Sequence, residues 1–190
     1  MLIIGLTGTK ASGKGEIASY LKSKGFVYFS LSDVVREEAE RRGLKNYSVK
    51  DLQDIGNDLR SKYGASILAK IVIEKIKKEI AEGKSNFVID GIRNPAEVIE
   101  FKKMENFFLI AVDAPKQKRF EWLIARSRQS DPKNYEEFLK MDARDLGLKE
   151  SAIGQQVKLC MKLAKFKIYN NSTIEKLHEK IEKILKKLKA

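Results

Sequence analysis

A chain of 190 residues with 43% hydrophobic side chains can bury one good core but hardly a second, so residues 1–190 are expected to form a single domain with inserted segments. No run reaches the roughly 18 apolar residues of a membrane span, and Met1 leads straight into a predicted strand without a signal-peptide layout, which predicts a soluble cytoplasmic protein. The 38 Lys+Arg against 26 Asp+Glu leave a formal net charge of +12, which suits phosphate-rich ligands and permits nucleic-acid binding without favouring it.

The first predicted strand is the apolar run Leu2-Ile3-Ile4-Gly5-Leu6, followed directly by Gly8-Thr9-Lys10-Ala11-Ser12-Gly13-Lys14-Gly15 and a helical stretch to Lys24 with Ile17, Ala18 and Leu21 on one face. Strand, glycine-bounded loop, lysine and helix make a P-loop. The glycines let successive backbone N–H groups turn inward around a polyphosphate, Lys14 supplies a point charge, and the helix offers its positive N-terminal end. The amides of Ala11 to Gly15 are the expected anion grip, with an ordinary βα turn as the alternative. Where the general pattern has Ser or Thr after the lysine to hold Mg²⁺, this chain has Gly15.

Gly25 stops the first helix, and Phe26-Val27-Tyr28-Phe29 reads as the second strand. Ser30 or Ser32 caps a helix through Val34, Val35 and Ala39 to Gly43. Two more helical patterns follow, from Asp51 past Leu59 and from Ala65 to Ala81. The third strand is Asn86-Phe87-Val88-Ile89-Asp90, and Pro95 starts the next helix. The fourth strand, Phe107 to Asp113, again ends in an aspartate, which suits buried parallel strands whose last residues emerge at the ligand-binding edge of the sheet. Pro115 opens a helix to about Arg126, and the interval from Ser127 to Lys149 is polar and only partly helical. Ala152 to Ala164 reads as a helix carrying Cys160, a lone cysteine expected to fill core space. A short fifth strand, Lys167-Ile168-Tyr169, and a lysine-rich helix from Thr173 to Lys189 complete the chain. Alternating strands and helices predict a three-layer α/β/α fold around a five-stranded parallel sheet.

The P-loop, Asp33-Val34-Val35-Arg36, Asp90-Gly91-Ile92-Arg93 and Asp113-Ala114-Pro115 before an arginine-bearing helix together resemble the P-loop nucleoside monophosphate kinases, above all the adenylate kinase-like members and the small archaeal and phage deoxynucleotide kinases. The resemblance runs in order along nearly the whole chain, and in that family Gly follows the P-loop lysine. It implies ATP as donor, with Mg²⁺ held through phosphates and waters and steadied by Asp90; a turn cap before Gly91 is the competing role of that carboxylate. It implies that residues 31–65 form a monophosphate-binding insert. There Arg36, beside Asp33, and Arg93 would grip the acceptor phosphate, although an i, i+3 surface ion pair also accounts for Asp33 and Arg36. It places Arg126, on the helix after Asp113, on the transferred phosphoryl group, with Arg119 or Arg128 assisting, and makes 127–149 a lid that carries Arg128 and the returning Arg144. Trp122 would stack on the donor base or anchor the core. The family usually has Thr at the position of Glu16, whose carboxylate should repel phosphate unless Mg²⁺ or Lys10 intervenes.

Two further readings stay open. The opening Gly-Leu-Thr-Gly-Thr-Lys-Ala-Ser-Gly-Lys is similar to dephospho-coenzyme A kinases, which normally present two close aspartates after the second strand where this chain has Asp33 alone. A P-loop ATPase switch bound to RNA or a ribosomal partner through its basic face is the reading from a different class.

Overall fold

The computed structural model describes residues 1–127, 131–147 and 151–189. Five strands, β1 (Leu2–Gly8), β2 (Val27–Ser30), β3 (Asn86–Asp90), β4 (Phe107–Asp113) and β5 (Phe166–Tyr169), form one sheet in the order β2-β3-β1-β4-β5. Every pairing is parallel, with Ile4 opposite Val88 on one side and Phe108 on the other. The three middle strands are therefore the buried ones, and their unbroken apolar runs match that place.

Side chains alternate across the sheet with the two-residue period of a strand. Ile3, Phe87, Ile89 and Leu109 face a core filled by α2 (Leu31–Arg41), α3 (Val49–Tyr63), α4 (Ile67–Ala81), α5 (Pro95–Phe101) and α8 (Val157–Leu163). Leu2, Ile4, Leu6, Val88 and Ile110 face the opposite core, filled by α1 (Lys14–Ser23) and α9 (Ile174–Lys189). The three layers expected from the alternation are present. A hairpin of α6 (Lys116–Arg126) and α7 (Tyr135–Leu146) adds a small aromatic core of Phe120, Tyr135 and Phe138. Cys160 is buried, and burial pushes its thiol up, as suits core filler. Among the described residues no helix is long and apolar enough to cross a membrane.

The helix expected over 152–164 begins only at Val157. Asn94 Nδ2 donates to the carbonyls of Ala152 (2.9 Å) and Gly154 (2.8 Å), and Gln156 N donates to Arg93 O (2.7 Å), so distant partners hold residues 152–156 in turns. The helix expected from Asp51 starts at Val49, because Ser48 and Asp51 form a reciprocal capping box. Ser30, which ends β2, caps α2 by accepting from Ser32 N. Pro115 sits at the cap of α6 rather than inside it.

Candidate functional site

The loop between β1 and α1 has the geometry its glycines imply. Gly8 lies at φ +139, and a Cβ there would stand 1.9 Å from Val112 O, so no other residue fits so close to β4. Gly13, at φ +102, lets the loop pass against Asn170, whose Nδ2 donates to Ser12 O at 3.1 Å. Thr9 Oγ1 donates to Asp113 Oδ1 at 2.7 Å, which ties the loop to the end of β4. Ser12 Oγ is buried and, among the described residues, has no hydrogen-bond partner. A buried hydroxyl of this kind fits an oxygen-rich ligand seated in the loop.

Lys14 Nζ donates to the carbonyls of Gly8 (2.9 Å) and Thr9 (2.7 Å), and Lys10 reaches across to Met141 Sδ of α7 at 3.0 Å. Burial brings both amines down to about 8, against a partial opposing pull from Asp90 on Lys14 and Asp145 on Lys10. Polyphosphate would restore their protons. Nucleotide binding near pH 8.5 is therefore expected to take up about one proton, measured by calorimetry in two buffers of different ionisation enthalpy; no net uptake would remove both amines from the phosphate site. Since both folded values lie below the unfolded one, the unfolded chain binds more protons between pH 8 and 10.5, and these groups make the unliganded fold more stable as pH rises through that window.

The Glu16 carboxylate is held from the side of α9. Its Oε1 lies 2.8 Å from His178 Nε2, and the His178 ring stacks on Tyr20 with centroids 4.1 Å apart. Lys10, the expected partner of that carboxylate, is turned to Met141 instead.

One cleft of about 870 Å³ runs from the loop and the start of α9 to the α2–α3 helices. Lys10 to Glu16, Trp122 and Arg126 line its loop end, and Arg36, Asp90 and Arg93 its far end. Trp122 is half-buried at the wall, so it does not anchor the core. Arg126 pairs bidentately with Asp131 at 2.6 and 2.7 Å. Arg36 is held through Nη1 by Asp33, and Arg93 through Nη1 by Asp145 (3.1 Å) and Gln155 (3.3 Å). Among the described residues each of these last two guanidiniums is oriented through one nitrogen, which leaves its other nitrogens for an anion. Asp90 Oδ1 accepts from Gly91 N at 2.7 Å, the turn-cap geometry, while the residue still lines the cleft. One carboxylate beside a phosphate cradle fits Mg²⁺, which keeps several waters and needs one or two protein ligands.

Several expected site residues stand apart from the cleft. Arg119 is buried beneath the loop, its guanidinium bound to Asp142 and to the carbonyls of Ala114 and Lys10. It is placed to shape the loop from below, not to touch a donor phosphate. Arg144 pairs with Asp54 at 2.8 Å, outside the cleft wall, and Gly8, Thr9 and Asp33 act through their neighbours. Arg128 lies outside the described residues. The sequence reading missed Gln53, Arg60, Glu97, Asp142 and Asp145. Gln53 and Arg60 carried a signal in their helical spacing with Val49, Leu52 and Gly56; the three acids carried none without knowledge of their partners.

A family model described as an AAA domain matches residues 7–139. The chain is 37% identical over 190 residues to the UPF0200 protein of Pyrococcus horikoshii, covering 98% of this chain and 97% of that one. It is 37% identical over 186 residues to the UPF0200 protein of Sulfurisphaera tokodaii, with the same coverage of 98% and 97%. The fold is similar to that of the shikimate kinase of Bacteroides thetaiotaomicron, with a TM-score of 0.58, 14% identity, and 97% of this chain and 98% of that chain covered.

Proposed function

The chain belongs to the AAA-domain family, among the UPF0200 proteins, with a P-loop kinase-like fold, and from that premise we propose that it is an ATP-dependent phosphotransferase acting on a nucleoside or deoxynucleoside monophosphate or a closely related phosphate-bearing small molecule. The observation that carries the reading is the two-ended cleft. A P-loop with two desolvated lysines stands at one end, and Arg36 and Arg93, each with guanidinium nitrogens to spare, stand at the other.

Phosphoryl transfer needs little covalent chemistry from the protein. It depends on holding donor and acceptor in line and neutralising charge on the equatorial oxygens. Lys14 and the loop amides hold the donor phosphates, with Trp122 beside the base. Arg36 and Arg93 hold the acceptor phosphate as planar forks. Arg126 leaves Asp131 for the transferred group when the segment over 127–149 closes and excludes water. Mg²⁺, steadied near Asp90, supplies further charge neutralisation when bound.

A coupled ADP-release assay across the ribo- and deoxymonophosphates and dephospho-coenzyme A tests the proposal. Turnover should rise with a monophosphate acceptor. ATP hydrolysis that ignores every acceptor, or responds to RNA, would replace the kinase with the switch. Arg36→Ala and Arg93→Ala are each expected to raise the acceptor KM by roughly 10- to 100-fold, the size of a lost charged hydrogen bond, with kcat changed less; unaltered KM in both would remove them from the acceptor site.

A further inference from the structure

Resting on the kinase reading, the acceptor end of the cleft says something about the body of the acceptor. On α3, Val49, Leu52, Gln53, Gly56 and Arg60 all line the cleft, a spacing that makes one stripe along a helix. The facing wall is Leu31 and Val35 of α2, with Leu68 of α4 closing it. Val49, Leu52, Leu31, Val35 and Leu68 make this slot largely aliphatic, and the α3 stripe adds two polar side chains to it. Gln53 gives its Nε2 to Asp145 Oδ1 at 2.7 Å. Arg60 is the other.

Arg60 is 3% exposed and paired with the fully buried Glu97. Its Nε (3.0 Å) and Nη2 (2.7 Å) both donate to Glu97 Oε1, while Glu97 Oε2 accepts from the backbone N–H groups of Arg93 and Asn94, each at 2.9 Å. The carboxylate is thus saturated and cancels the guanidinium's charge locally. Among the described residues the remaining nitrogen, Nη1, has only Asn57 Oδ1 at 3.5 Å, the outer limit of a hydrogen bond. A Cβ on Gly56 would lie 3.4 Å from that Nη1 and 3.6 Å from Val35 Cγ2, so the bare glycine is what leaves a path from the cleft to it.

We propose that Arg60 Nη1 donates to an uncharged carbonyl oxygen on the acceptor, and that the acceptor is a nucleotide with a keto base. A neutral oxygen suits a buried donor whose charge is already balanced, whereas a carboxylate would meet the like charge of Glu97. A ring amino group would set donor against donor. A polyol would bring several hydroxyls into a slot with two polar side chains and leave some buried without partners. A flat, largely apolar base with one polar edge fills such a slot without that penalty. Because Glu97 also holds the backbone of Arg93, the same carboxylate keeps the base reader and the phosphate grip in fixed relation.

Calorimetric titration of acceptors without donor tests this with two pairs, UMP against CMP and IMP against AMP, each exchanging a carbonyl beside a ring N–H for an amino group beside a bare ring nitrogen. In a pair that binds, the keto member should bind at least about tenfold more tightly, the low end for one hydrogen bond from a charged donor. Gly56→Ala, helix-compatible and touching Arg60 at Nη1 rather than at the two nitrogens that hold Glu97, should cover Nη1 and bring the ratio close to one. Arg60→Lys, which keeps a counter-charge for Glu97, should do the same. Equal affinities or an amino preference in the unaltered protein, or a ratio that survives Gly56→Ala, would overturn the proposal. Failure of all four monophosphates to bind would overturn the keto-base proposal, and the kinase reading beneath it falls if in addition no acceptor in the ADP-release assay raises turnover.

Discussion

Lys14→Met is expected to lower acceptor-dependent turnover by on the order of 10³-fold, the scale of removing one preorganised charge from a transferring group, while the unliganded protein keeps its stability to within about 1 kcal/mol. The two effects separate because of what Lys14 does before nucleotide arrives. Its ammonium is desolvated, its pKa lies near 8, and it bonds to two loop carbonyls, Gly8 O and Thr9 O. Methionine fills similar space without a buried charge, so the loss of those two bonds is offset by relief of desolvation. Bound nucleotide reverses the balance, since only the lysine gains a polyphosphate partner. The readout is thermal melting with and without ATP. Saturating ATP at about 100 times its Kd should stabilise the unaltered protein by about 2.7 kcal/mol, and the variant far less. Equal ATP-induced shifts in the two proteins would show that Lys14 does not hold the phosphates.

What could be read in advance was what lies close in sequence. The P-loop is legible because strand, glycines and lysine are contiguous, and its glycines take positive φ angles, a property of the local backbone: Gly8 at φ 139 and Gly13 at φ 102, at the cap of α1. The strand ends at Asp90 and Asp113 were legible for the same reason. Elements set by distant partners were not. Residues 152–156 have helical composition, yet Asn94, some 60 positions away, takes two of their carbonyls. Glu16 looks like a defect beside phosphate, and the His178 that holds its carboxylate stands 162 positions on. Arg60 was hidden because its meaning depends on Glu97 and on the open face at Gly56, and neither is visible as a motif.

Arg119 is the case where motif position and structure part, and the difference has a large expected effect. It lies on the arginine-bearing helix after Asp113 and was expected to assist at the donor phosphates, yet it is 1% exposed and saturated. Nη1 and Nη2 fork onto Asp142 at 2.5 and 2.8 Å, Nε donates to Ala114 O at 3.1 Å, and Nη1 also reaches Lys10 O at 3.2 Å. The pair links α6 to α7 and fixes the carbonyl from which the loop turns into Ala11, a non-glycine residue at φ 58. Arg119→Ala leaves Asp142 charged and buried without its partner, which costs about 3–5 kcal/mol and should lower the melting temperature by roughly 10 °C for a domain of this size. Asp142→Asn should come close to it, because the amide turns an NH₂ toward the guanidinium. The double replacement Arg119→Met with Asp142→Leu removes both charges together and should recover most of the stability, as apolar exchange of a buried pair does. It should not recover ATP affinity, because the Lys10 carbonyl stays unheld and the loop loses its shape. If Arg119 instead gripped phosphate directly, Asp142→Asn would free it, and ATP would bind more tightly with little change in melting of the unliganded protein. Melting curves and ATP titrations of these three variants distinguish a residue that shapes the loop from one that touches the nucleotide.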